Sequence, residues 1–193
     1  MSKFSDLLNT RRSDDSPAVP SELDRAWTWM ESRGWIVDNG NDYYLTPYAG
    51  EQQLGVVFAA HLSLEGWFEP DEAGFDQLIP FVELDGAGSV GVLWNGEDGH
   101  TRIGALGGEG HVSLLAENAL DFLRLIAIGY DEVGSFLDGE PEEPESVEAH
   151  AEFRTWVQSE FGVEVPAHWH YADPDPFNSW VARLKGTEYS PFD

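Results

Sequence analysis

The first residues that could do chemistry are His168 and His170, with Asp173 and Asp175 close behind them. Residues two apart on a strand share a face, so the two imidazoles could in principle hold a metal. No HExxH pair and no other histidine–acid cluster completes a ligand set. Pro174 and Pro176 make the segment turn-rich, and structural or surface histidines are the better reading. His61, His100, His111 and His150 are scattered without a spacing pattern. We expect no metal and no cofactor. Nucleophilic catalysis has as little support. Ser89 lies among the glycines of Gly86-Ala87-Gly88-Ser89-Val90-Gly91, but the G-x-S-x-G spacing is absent. Gly104-Ala105-Leu106-Gly107-Gly108 lacks the Gly-Lys-Ser/Thr ending of a phosphate loop and reads as a hairpin. A glycosidase needs two carboxylates at a set separation, one with a raised pKa. With 36 acidic residues, chance pairs are inevitable, and the eight tryptophans that could form a sugar platform do not change this. The expectation is a protein that is not an enzyme.

What the sequence does carry is charge. Ten basic against 36 acidic residues leave a net charge of −26. Such a surface repels nucleic acid and anionic membrane and suits a basic protein or cations. It also serves solubility alone, and both explanations stand. The candidate partner-binding acids are Glu83, Asp85, Glu97, Asp98 and Glu109, in or beside the central strands, and Glu142 and Glu143 in a long acidic loop. Glu140 and Glu145 flank the last two. Complementary charge mainly speeds encounter, whereas desolvated aromatic anchors dominate binding energy. Trp94 is the candidate anchor; its other reading is a core residue.

These residues must be positioned by the stretch from Leu78 to Gly129. Four short apolar runs, Leu78 to Leu84, Ser89 to Trp94, Thr101 to Leu106 and His111 to Leu115, are separated by glycine turns. Asn95-Gly96 and Asp98-Gly99 suit a tight reversal. The connections are too short for helical crossovers, so the sheet is antiparallel. Ala119, Phe122, Leu123, Ile126 and Ala127 then line one helical face, closed by Gly129. Strands followed by an apolar helix require a sheet-on-helix layer.

Elsewhere the pattern is less even. Residues 1–19 read as a flexible tail with a small cluster at Phe4, Leu7 and Leu8, and residues 20–193 as one domain. Ser21 is the expected N-cap of a helix with the stripe Leu23, Ala26, Trp27 and Met30. Trp35 to Tyr48 reads as a hairpin about Asn39-Gly40. Leu54 to Leu64 fits helix or strand, and Val56, Val57 and Phe58 tip it towards strand. A short helix over Tyr130 to Leu137 and a longer one over about Val147 to Phe161 follow, separated by the acidic loop. The aromatics of the tail, Trp169, Tyr171, Phe177 and Trp180, suggest that it packs back on the body.

Several of these segments together resemble the SUKH superfamily. They are Leu62-Ser63-Leu64-Glu65, Ile79-Pro80-Phe81-Val82 with Asp85-Gly86-Ala87-Gly88, and Leu115-Ala116-Glu117 leading into Phe122-Leu123. Phe153-Arg154-Thr155-Trp156 to Phe161-Gly162-Val163-Glu164-Val165-Pro166 is similar to a tail segment of some members. The superfamily includes fungal cell-wall-synthesis regulators of the Smi/Knr type and many bacterial immunity proteins. The resemblance implies an immunity protein that neutralises a toxin, often a nuclease. Its alternative is a Smi/Knr-like regulatory or scaffold protein. The expected fold is α+β, a single antiparallel β-sheet with α-helices packed mainly on one side. The chain has no cysteine, which excludes disulfides and thiolate chemistry. It shows no signal-peptide run and no apolar stretch of ~20 residues, so a cytoplasmic location and no membrane span are expected.

Overall fold

The computed structural model describes residues 1–40, 42–50, 52–134, 137 and 139–189. Among them, seven strands form one antiparallel sheet in chain order: β1 (Ile36–Asp38), β2 (Tyr43–Leu45), β3 (Val57–Ala59), β4 (Leu78–Glu83), β5 (Val90–Asn95), β6 (Thr101–Leu106) and β7 (Val112–Ala116). The helices are α1 (Lys3–Asn9), α2 (Ser21–Arg33), α3 (Ala119–Ile128), α4 (Pro144–Ala149), α5 (Ala151–Phe161) and α6 (Pro176–Lys185). The fold is α+β.

Short turns set the strand order. The β5–β6 hairpin is in continuous register from Val90↔Leu106 to Asn95↔Thr101, and Gly99 in its turn has φ 78°. The β4–β5 ladder shifts between Pro80 and Val82. Proline has no N–H to donate, and a bulge beside it absorbs the missing bond. Helix α3 starts at Asn118, whose side chain accepts from Asp121 N–H at 2.8 Å, and ends at Gly129 with φ 92°.

The two faces of the sheet are covered differently. On one face, α1, α2, α3 and α5 enclose the larger core, which holds Phe4, Trp27, Phe58, Phe81, Phe122 and Phe153. Trp27 is the hub, 4.6 Å from Phe4, 5.8 Å from Phe58 and 6.1 Å from Phe81 between ring centroids. On the other face, α6 sets Phe177, Trp180 and Val181 against Trp94, Leu106 and Leu114. Gly104 admits that helix: a methyl group there would lie 2.4 Å from the Phe177 ring. Asp175 locks it, accepting from Asn178 N–H at 2.8 Å and from Leu114 N–H of β7 at 2.7 Å. The helices therefore lie mainly on one side, with α6 on the other.

Several expectations are corrected. Residues 1–19 are not simply a flexible tail. Lys3–Asn9 is helical, Phe4 and Leu8 are fully buried, and Ser2 and Ser5 donate to Asp24 of α2. Ser21 is the first helical residue, with Pro20 at the cap. Only Val57–Ala59 of the Leu54 to Leu64 run is strand. The long helix expected near Val147 to Phe161 is two helices meeting at His150. In the expected Tyr130–Leu137 helix, residues 130–134 are not helical, and residues 135 and 136 lie outside the described residues.

Candidate functional site

Strand alternation divides the candidate acids between two ends of the sheet. The β4–β5 and β6–β7 turns lie at one end, and the β5–β6 turn at the other. Gly108 N–H donates to Ser89 Oγ at 3.1 Å and joins the first two turns. Val133 N–H donates to Leu84 O at 2.9 Å, and Ser146 Oγ donates to Leu54 O at 2.7 Å. These bonds bring the segment after α3, and then α4, to that same end. Glu109, Glu142 and Glu143 are exposed there. Asp85 lies there too but is turned inward, 9% exposed, accepting from Ala87 N–H at 2.8 Å and Ser89 N–H at 3.0 Å. Its carboxylate holds its own turn together, so its assignment as a partner-binding residue is corrected.

At the opposite end, Glu97 and Asp98 are already neutralised. Glu97 pairs with Arg183 of α6. Asp98 takes both guanidinium nitrogens of Arg102, at 2.7 and 2.8 Å, and Arg102 also donates to Glu117 at 2.7 Å. Those bonds, followed by the backbone N–H of His100, hold the Asp98 carboxyl far below the usual carboxylate range. A charge already answered within the fold steers a partner weakly. Trp94 is the second correction. It is 2% exposed, packed between Phe177 at 5.2 Å and Trp180 at 5.4 Å, and cannot serve as a surface anchor.

Glu83 occupies a different setting. Val82 and Leu84 point into the larger core, so the side chain between them projects from the other face. There it sits opposite Val57 of β3 and Val90 of β5. Burial pushes its carboxyl above the usual value, and the charge of His61 partly offsets this. Around it the face is open. Helix α6 and the loop through Leu64 and Phe68 cover β5–β7 and the start of β4. They leave Val37, Tyr44 and Val57 partly exposed on β1, β2 and β3. The Tyr44 hydroxyl lies 3.3 Å from His61 Nε2, and Asp42 lies 3.9 Å from His61 Nδ1. Trp35, Val37, Tyr44, Thr46 and Val57 line a cavity of about 400 Å³ on this side, together with Gly50, Gln52 and Gln53. Sequence reasoning singled out Glu83 but not this surface. The only local signal was the pair of adjacent apolar residues Ile36 and Val37 beside a turn.

All ten cations of the chain are engaged within it. Lys3, Arg25, Arg33, Arg102, Arg124, Arg183 and Lys185 pair with carboxylates. Arg11 donates to Ala60 O and Leu62 O, and Arg12 to Asn9 and Ser16 O. Arg154 donates to Ala127 O and Ile128 O, where a cation suits the negative end of α3.

His168 and His170 stack edge to face, 4.4 Å apart, while Asp175 is committed to capping α6. Among the described residues, no three histidine or acidic side chains are grouped so as to hold a metal, and no helix is long and apolar enough to cross a membrane. Comparison with known proteins adds no relative: no family model matches the chain, and no curated protein or solved structure matches it.

Proposed function

We propose that the protein is a non-enzymatic binding module whose partner is a basic protein. One observation carries this reading. All ten cations are bonded to partners within the chain, so its net charge of −26 is carried with no free lysine or arginine to break it. Such a field raises the encounter rate with a positive surface and opposes nucleic acid and anionic lipid. Together with the SUKH resemblance, it supports an immunity protein acting in the cytoplasm. Its partner would be a toxin such as a nuclease. A nuclease cleft is basic because it must hold phosphates, so an acidic protein can cover it.

The test is the rate of capture of a toxin domain encoded beside this protein, measured by stopped flow at rising salt. Between about 50 mM and about 500 mM salt the association rate should fall roughly tenfold or more, while dissociation changes little. An association rate flat across that range would reduce the acidity to a solubility device.

A further inference from the structure

The face of the sheet beside α6 is half covered, and its uncovered half has the composition of a docking surface. Among the described residues, Ile36 and Val37 are, besides Met1, the exposed large apolar side chains, at 36% and 49%. Both lie on β1, the free edge of the sheet; Val37, opposite Tyr44, is on this face, and Ile36, opposite the buried Leu45, is on the other. Val37, Tyr44 and Val57 continue inward as an apolar strip, with the cavity of about 400 Å³ beside them. At the inner end of the strip stands Glu83, half-buried, with its carboxyl pushed up by burial. Lys3 pairs with Asp38 at the end of β1, and the other lysine and arginine side chains are bonded to partners of their own. Asp42 marks the outer rim.

We propose that this surface is where the basic partner docks, and that the docking element is an amphipathic helix bearing lysine or arginine. The assignment rests on the basic-partner reading above. Its geometry follows from the sheet. Three strand spacings of about 4.8 Å separate β1 from β4, a width of about 14 Å over which Val37, Tyr44, Val57 and Glu83 keep some exposure while Ala59 among them is covered. A helix with its side chains is about 10–12 Å across. One helix therefore fits beside α6, as α6 itself fits over β5–β7. Its apolar side lies on Val37, Tyr44 and Val57 and places one side chain in the cavity. Its cation reaches Glu83. That carboxylate is already partly stripped of water, so pairing it costs less further desolvation than pairing an exposed acid, and the resulting bond is charge-assisted. Charge also argues against the obvious competitor, since a second copy of the chain would bring −26 against −26.

The probe is a synthetic helix of about 18 residues, with lysines along one side and leucines along the other, long enough to hold helical structure. A scrambled peptide of equal composition is the control. Binding to the whole protein is followed by amide shift mapping and by titration at physiological salt. The expected result is shifts centred on Val37, Tyr44, Val57 and Glu83, with the scrambled peptide weaker. Glu83→Gln and Val37→Ser should each weaken binding about five- to tenfold, while the pair Glu142→Lys and Glu143→Lys should change it less than twofold. Tyr44→Ser, on the same face as Val37, serves as the second apolar variant if Val37→Ser melts early. Shifts at the Glu109 and Glu142 end, with Glu83→Gln and Val37→Ser silent, would overturn this surface and leave the basic-partner reading standing. No binding of either peptide would defeat that reading and this surface together. Self-association in sedimentation that Val37→Ser abolishes would assign the face to a second copy and overturn the proposal.

Discussion

His150 makes the stability of this protein sensitive to mild acid. The ring is 1% exposed, at the junction of α4 and α5. Its Nδ1–H donates to Ser146 O at 2.8 Å, the Tyr48 ring lies 5.1 Å away, and Gly55 leaves the room it needs. Burial first, and then the charge of Arg154, pull its pKa from 6.5 to about 4, against the bond to Ser146, which acts the other way. The fold therefore favours the neutral ring. Between about pH 6.5 and about pH 4 the unfolded chain binds more protons than the folded one, so stability falls as pH falls through that window and levels off below it. A gap of about 2.5 between the two values, at ~1.4 kcal/mol each, amounts to roughly 3 kcal/mol, of which about 2 kcal/mol is gone by pH 5. Other groups titrate nearby. Glu83, raised by burial, stabilises the fold as it gains a proton, and easing the net charge of −26 acts in the same sense. The measurement is therefore a difference. Urea unfolding of the wild type and of His150→Gln is compared at pH 7.5, 6, 5 and 4.5. The glutamine keeps an N–H for Ser146 O and removes the titration. The stability difference between the two proteins should shrink by about 2 kcal/mol from pH 7.5 to pH 5. Parallel curves, or an imidazole titrating near 6.5 by NMR, would refute the argument.

Other expectations follow from packing and charge. Phe122→Ala, at a fully buried ring 5.7 Å from Phe81, should cost about 3–5 kcal/mol in urea unfolding. Gly104→Ala drives a methyl into Phe177 and should cost about 1–3 kcal/mol, with tryptophan fluorescence reporting movement of Trp94 and Trp180. Reversing Glu97 and Asp98 together, or Glu142 and Glu143 together, adds the same four charges and should slow capture of a basic partner by similar, small factors; a large effect at either pair in stopped flow would place the partner there and contradict docking at the Glu83 face. Dialysis against a chelator should leave the melting temperature unchanged, whereas a drop reversed by zinc would bring His168 and His170 back into play.

The sequence by itself determined what is local. Turn residues such as Asn39-Gly40 and Gly99 marked the hairpins, because their conformational demands act over a few residues. The stripe of α3 and its end at Gly129 were legible for the same reason. Net charge needs no structure at all. Only the tertiary structure decided which charges face outward and which side of a strand is covered. Trp94 is buried by Phe177 and Trp180, more than eighty positions along the chain, and Glu97 is answered by Arg183 from the same helix. Residues 1–19 lacked the length to signal a stable helix, yet α1 folds because Asp24 and Glu31 of α2 receive its hydroxyls and first amides. The open face around Glu83 exists because α6 spans only part of the sheet. Alternation along a strand says that two faces differ. Which of them stays bare depends on contacts between distant segments, and no periodicity records those.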